Sequence, residues 1–186
     1  MNLSTPLFEG QLIRLTAVRN EDLPTLVRWY QESGFARHFD SSPAYPRGEE
    51  RLRSFVTESR NNDAYNFAIR LLYSDELVGL VDLDGIQWNN RSAWLAIAIG
   101  EANQRGRGYG REAMQLILHF AFRELNLHRV QLTVFSYNVR AIRLYESLGF
   151  VHEGTYREAI HREGEKYDTL LYGMLVHEWA AGLSGS

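Results

Sequence analysis

Trp94-Leu95-Ala96-Ile97-Ala98-Ile99 is an apolar stretch, and after a five-residue gap it is followed by Arg105-Gly106-Arg107-Gly108-Tyr109-Gly110 and a long helical pattern. Three glycines at alternate positions let backbone N–H groups turn inward with no Cβ in the way. The helix that follows adds unpaired N–H donors and the positive end of its dipole. Strand, glycine turn and helix together form an anion cradle, and the ligand expected there is a phosphorylated cofactor. Taken alone, the glycine run also fits a plain flexible turn.

The spacing narrows the choice of cofactor. A dinucleotide fold would carry G-x-G-x-x-G and a P-loop would carry G-x-x-x-x-G-K-[ST]; neither pattern is present, and the only lysine is Lys166. The following strand, Leu132 to Tyr137, has no carboxylate to hold a ribose, which also argues against a dinucleotide site.

The chain has 186 residues, enough for one well-buried domain and few for two. No apolar run reaches membrane-spanning length, and Met1 to Gly10 lacks the basic and apolar regions of a signal peptide, so a cytoplasmic location is expected. The absence of cysteine removes disulfides, thiolate metal ligands and a cysteine nucleophile. The six histidines show no zinc spacing, so no metal is expected. A net charge of −3 with interspersed signs argues against direct nucleic-acid binding and suits a cationic amine.

The order of elements follows from periodicity. Leu12 to Val18 alternates as a strand, Asn20 or Asp22 can cap a helix to about Glu32, and Gly34 to Pro46 is expected as a loop. A helix is expected over Gly48 to Arg60, with Leu52, Phe55 and Val56 on its apolar side. Strands are expected over Asn66 to Tyr73, Leu77 to Ile86 and Ser92 to Ile99, joined by short turns into an antiparallel meander. A helix from Tyr109 to Glu124 leads to a strand at Val130 to Ser136, and a right-handed crossover makes that strand parallel to Ser92–Ile99. A helix from Asn138 to Leu148, closed by Gly149, precedes a hairpin of Phe150 to Ile160 and Glu165 to Val176. The fold class is α+β with a mixed sheet, and Ala180 to Ser186 is expected to fray.

The cradle then lies at the carboxyl end of a parallel strand, beside the start of the Asn138 helix. Asn138, Ala141 or Ile142, and Tyr145 share one face of that helix, with Asn138 and Tyr145 about 10.5 Å apart along the axis. A cap amide and a phenol would line one groove. As an isolated pair they could equally be a helix cap and a core aromatic.

Read together, the two stretches resemble the GNAT family of N-acetyltransferases. Arg105-Gly106-Arg107-Gly108-Tyr109-Gly110 matches the family's pyrophosphate-binding pattern R/Q-x-x-G-x-G/A. Asn138-x-x-Ala141-x-x-x-Tyr145-x-x-x-Gly149-Phe150 matches its second signature, and Glu112-Ala113 is common there too. The likeness runs from about residue 10 to 178. Leu12-Ile13-Arg14-Leu15, Asn126-Leu127-His128-Arg129 and Tyr167-Asp168 are similar to the branch holding ribosomal-protein N-terminal and spermidine acetyltransferases.

The resemblance implies a single N-acetyltransferase domain over residues 1–180. Its sheet would be mostly antiparallel, of about seven strands with a splayed parallel pair, flanked by about four helices. It implies acetyl-CoA as acyl donor and direct transfer to a primary amine, on a small molecule or a peptide N-terminus, in a ternary complex. Backbone amides of Arg105, Gly106, Arg107, Gly108, Tyr109 and Gly110 would hold the pyrophosphate. Main-chain groups near Ile97 and Ile99 would pair with the pantetheine arm, and Asn138 would touch the cofactor near it. Tyr145 would give a proton to the departing thiolate. No membrane partner is implied, and a homodimer stays an open option.

The general base is left open. Family members often place a carboxylate on the strand before the cradle, and Ala93 to Ile99 has none. Asp82 and Asp84, on one face of the preceding strand, Glu101 beside the cradle, and a water chain are the alternatives. His38, with Phe35, Phe39 and Tyr45, could cover the acceptor pocket or simply anchor its loop. Trp88 and Trp94 carry the same ambiguity, while Trp29 and Trp179 are expected to pack. The competing functional readings are a non-catalytic CoA-binding sensor or interaction module, which would have no use for Tyr145, and a phosphate-binding fold of unrelated activity.

Overall fold

A computed structural model describes residues 6–53 and 63–184. Among the described residues seven strands form one sheet in the order β1-β2-β3-β4-β5-β7-β6. They are β1 (Ile13–Thr16), β2 (Tyr65–Leu71), β3 (Leu77–Gln87), β4 (Ser92–Ile99), β5 (Arg129–Phe135), β6 (Val151–Arg162) and β7 (Glu165–Leu175). Every neighbouring pair is antiparallel except β4 and β5, as the crossover rule requires.

Six α-helices stand among the described residues, against about four expected. They are α1 (Leu23–Gln31), α2 (Ser33–Phe39), α3 (Glu49–Leu52), α4 (Tyr109–His119), α5 (Val139–Ser147) and α6 (Val176–Ser184). The helix α4 covers one sheet face, burying Ala113, Met114, Ile117 and Leu118 against Ile13, Val81, Leu95 and Val130. The other face receives α1 and α2, whose Leu23, Leu26, Trp29 and Phe35 pack on Ala68, Leu80 and Ala98. Trp29 and Trp179 are both buried, as expected of packing residues.

Three local differences from the sequence reading have tertiary causes. The segment read as a loop from Gly34 contains α2, because Phe35 and Ala36 are buried against α1; packing holds a short helix that its own propensity would not. The helix beginning at Tyr109 widens into a π-turn over Phe120–Glu124, with Leu125 N–H donating to Phe120 O at 3.1 Å. The chain also folds into α6, with Trp179 stacked on Phe122 at a ring separation of 5.3 Å. Of the helix expected over Gly48 to Arg60, α3 is its start, and Phe55 and Val56 lie outside the described residues.

Asp22 plays a part other than the expected helix cap. Both of its carboxylate oxygens accept from Arg70 Nη2 at 2.7 Å, and Oδ2 also accepts from Arg19 N–H at 2.7 Å. Arg70 completes its shell on Thr16 Oγ1 and Asp75 O, so a buried ion pair ties the entry of α1 to β2 and β1.

Candidate active site

The parallel pairing of β4 with β5 runs only from Ser92↔Arg129 to Trp94↔Gln131. Beyond Trp94 the strands part and open a cleft of about 1360 Å³, reached by Ile97 and Ile99 from β4 and by Thr133 and Phe135 from β5. Gly100 N–H donates to Val78 O on β3, so by strand alternation the amides of Ala98 and Ala96 also face β3. Leu95, Ile97 and Ile99 therefore turn their main-chain groups into the gap. An extended amide-bearing ligand lying there can pair with them as a third strand would.

At the end of β4 the chain turns through the glycine run. Gly106 and Gly108 have φ of +77° and +91°, conformations that L side chains rarely adopt, which is the physical reason for glycine at both. The first helical bond of α4 is Glu112 N–H to Gly108 O at 3.1 Å, so the amides of Tyr109, Gly110 and Arg111 precede it without a helical partner. Gly106, Gly108 and Gly110 line the cleft together with Arg105, Arg111 and Arg140. This donor set, open backbone amides with the Arg111 and Arg140 side chains beside them, fits a diphosphate.

The predicted cradle residues divide by role. The Arg105 side chain points back to the end of β4, donating to Ile99 O and Gly100 O. Arg107 donates to Asn103 O, and Tyr109 packs on the core; neither side chain lines the cleft. The loop is thus stitched down by its arginines while its amides stay open.

On the far side, α5 starts with Asn138, whose Oδ1 accepts from Ala141 N–H at 3.3 Å as a helix cap. Asn138, Ala141 and Tyr145 all reach the cleft, as do Val139, Arg140 and Leu144 of the same helix. Tyr145 is buried beside Phe150 and Tyr172, and its hydroxyl makes no hydrogen bond among the described residues. Burial pushes the phenol pKa well above its ordinary value, which keeps it protonated as a proton donor must be.

The remaining wall is aromatic and mildly acidic. Phe35, His38 and Phe39 of α2, Trp94 of β4 and Asp84 of β3 face it, whereas Tyr45 stands away, over Arg47. Arg37 pairs with Glu163, Tyr137 O–H donates to Arg37 O, and Arg162 Nη2 donates to the carbonyls of Asp40, Ser41 and Ser42. These bonds hold α2 and the turn after it across to the β6–β7 hairpin. Glu101 accepts from Arg28 at 2.8 Å and from the Trp29 indole at 3.1 Å, a structural carboxylate already spoken for.

The sequence reading missed Gly100, Arg111 and Arg140. A Cβ at Gly100 would sit 1.9 Å from the Trp29 ring, a contact between residues far apart in the chain that leaves no local pattern. Arg111 and Arg140 lie in the first turns of the two helices flanking the cradle, and that shared placement was the available signal.

Comparison with known proteins agrees with this geometry. Residues 13–151 match the family described as acetyltransferase (GNAT) domain. The chain is 30% identical to the uncharacterized SPbeta prophage-derived N-acetyltransferase YokL of Bacillus subtilis over 95% of its length and 97% of that protein. It is 24% identical to the ribosomal protein uS5 alanine N-acetyltransferase of Escherichia coli, covering 89% and 88% of the two chains. The crystal structure of Vibrio cholerae spermidine N-acetyltransferase in complex with CoA and spermine superposes with a TM-score of 0.82 at 26% identity, over 92% of this chain and 99% of that one.

Proposed function

The chain belongs to the GNAT acetyltransferase family and is an N-acetyltransferase that takes its acyl group from acetyl-CoA; on that premise we propose that it passes the acetyl group directly to a primary amine while both substrates are bound. The amine sits on a small molecule or at a peptide N-terminus. The observation that carries the proposal is the continuity of one cleft, from the glycine cradle past Ile97 and Ile99 to Tyr145 and on to the aromatic wall with Asp84. Donor and acceptor can lie end to end in it, with no covalent station between them. A cysteine nucleophile is not available in any case.

In this reading the amides of the Arg105–Gly110 turn and the first turn of α4 hold the diphosphate. Ile97 and Ile99 pair through their main chain with the pantetheine arm, and Asn138 borders it. A main-chain N–H of the splayed strand can donate to the thioester oxygen, an interaction worth roughly 3 kcal/mol when preorganised. Tyr145 gives its proton to the sulfur as the carbon–sulfur bond breaks. Thioester chemistry is what the donor supplies; the chain supplies alignment, the oxyanion contact and the proton.

Equilibrium binding of acetyl-CoA, followed by thiol release with polyamines, aminoglycosides and N-terminal peptides, tests the proposal. Binding with release on at least one amine class is expected. Binding without release on any of them would mark a CoA-binding sensor, and no binding would remove the cradle assignment.

A further inference from the structure

Resting on the acetyl-transfer reading above, we infer that Asp82 is the proton acceptor for the incoming ammonium and that Asp84 holds that ammonium at the cleft wall. The acceptor arrives charged at neutral pH and must lose a proton before nitrogen can attack. The strand β4, which forms the wall beside the thioester path, contains no acid. The carboxylates nearest to it by register stand on β3, where Asp82 pairs with Ala96 and Asp84 with Trp94.

Register fixes which face these acids share. Residues opposite each other on antiparallel strands project to the same side, so Asp82 and Asp84 stand on the side of Ala96 and Trp94, both of which line the cleft. Asp84 itself lines it. Asp82 is not itself among the lining residues; across from it stands the small Ala96 side chain, with Cβ atoms about 5 Å apart by strand geometry, so the carboxylate lies one methyl group behind the cleft wall. The two acids are about 7 Å apart along the strand.

The surroundings leave Asp82 unneutralised. Its carboxylate has no ion pair and no hydrogen bond to another residue among the described residues. From α1, Tyr30 faces it with a buried hydroxyl that also lacks a partner and whose pKa burial pushes up to about 12. The nearby cation, Arg47, stacks on the Tyr30 ring at 4.5 Å and is committed to Asp40. Asp84 adds a like charge from the same strand, with Asp63 behind it. Desolvation and that like charge raise the Asp82 carboxyl to about 7, where a general base works best at neutral pH.

The competing groups are placed differently. Glu101 is held by Arg28 and Trp29. His38 lines the cleft from α2, exposed at the rim, with Nδ1 against Gly34 O at 2.8 Å. The proton balance is simple. The ammonium gives one proton to the Asp82 carboxylate, the freed lone pair forms the nitrogen–carbon bond, and the carbon–sulfur bond breaks with Tyr145 protonating sulfur. The new amide then loses its second proton to the Tyr145 oxygen, and Asp82 discharges to solvent.

The test is the pH profile of kcat/KM for wild type, Asp82→Asn, Asp84→Asn and His38→Gln, on whichever amine the wild type acetylates, with acetyl-CoA affinity measured alongside. Wild type should lose activity below a pKa near 7. Asp82→Asn should lower kcat/KM about a hundredfold at neutral pH with acetyl-CoA binding intact and that limb gone. Asp84→Asn should raise the KM for the amine and move the limb to lower pH, because a like charge beside Asp82 has been removed. His38→Gln should keep the limb. Overturning results are an unchanged profile in Asp82→Asn, an unmoved limb in Asp84→Asn, or loss of the limb in His38→Gln. A wild type that binds acetyl-CoA yet acetylates no amine would instead overturn the transfer reading itself, and a superimposable circular dichroism spectrum separates either result from misfolding.

Discussion

Arg105 reaches back from the glycine turn to the strand that precedes it, donating through Nε to the Ile99 carbonyl at 3.2 Å and through Nη2 to Gly100 O at 3.0 Å. The residue that opens the phosphate pattern is therefore a brace between the cradle and the splayed edge of β4. Burial, and then the like charge of Arg140, hold its pKa below the usual guanidinium range, a cost accepted for fixing the distance between the two halves of the donor site.

Arg105→Ala should accordingly weaken acetyl-CoA binding through geometry rather than through loss of a phosphate contact. Charge-assisted hydrogen bonds of this kind are worth about 1.5–3 kcal/mol, so a rise in Kd of roughly tenfold to a hundredfold is expected. Arg105→Lys should recover little, since one ammonium cannot fork to two carbonyls at once. Equal affinity in all three proteins, read by isothermal titration, would show that the brace is dispensable.

Tyr145→Phe removes one oxygen from a buried site and leaves the packing with Phe150 and Tyr172 in place. A fall in kcat of about a hundredfold with little change in acetyl-CoA affinity is expected, the signature of a group used only in the transition state. The pH dependence has a definite sign. Burial raises the folded-state pKa, so the phenol stays protonated through the range where an exposed tyrosine ionises, and kcat should not decline as pH rises through 10. An alkaline loss with a midpoint below 10 that vanishes in the Phe variant would contradict this environment.

Glu112 shows how the fold supports the cradle from behind. Its carboxylate accepts from the backbone N–H groups of Gln11, Leu12 and Ile13 at 2.6, 2.9 and 2.9 Å, fastening the entry of β1 to the first turn of α4. A Cβ at Gly10 would lie 2.4 Å from the carboxyl carbon, so a side chain there would push the carboxylate off these amides. Glu112→Ala leaves three amides without their acceptor, and the expected loss is about 2–4 kcal/mol of stability. Glu112→Gln keeps one oxygen and should lose less. Chemical denaturation measures both; a loss below about 0.5 kcal/mol in the Ala variant would mean that the amides find other partners.

Much of this was legible in the sequence wherever the information was local. The bounds Ser92–Ile99, the helix opening at Tyr109, the Asn138–Tyr145 face and the hairpin around Gly164 follow from alternation, helical spacing and glycine chemistry, and these are the elements that frame the cleft. What escaped depends on contacts between distant residues. The helix α2 owes its existence to burial of Phe35 against α1, α6 to the seat of Trp179 on Phe122, and Gly100 to the indole above it. The candidate acids illustrate the same divide. Period two puts Asp82 and Asp84 on one face, but only the fold shows that Glu101 is taken up by Arg28 and Trp29 and that Asp82 has no counterion among the described residues.

An acid held partly out of water, with no ion-pair partner among the described residues, should also leave a mark on stability. The Asp82 carboxyl ordinarily ionises near 3.8 and in the folded protein near 7, so between these values the native state binds more protons than the unfolded chain. Stability from this group therefore falls as pH rises through that window and is level above it. Asp82→Asn removes the penalty, so the variant should match wild type near pH 4 and exceed it at pH 8. A pKa displaced by one corresponds to about 1.4 kcal/mol, which puts the gain on the order of 2–4 kcal/mol, several degrees in Tm. Thermal melts of the two proteins at both pH values decide the matter. A variant that is both slower and more stable at pH 8 is the expected outcome, because the charge that destabilises the folded chain is the one the acceptor needs; a difference in Tm independent of pH would show that the carboxylate is well solvated and ordinary.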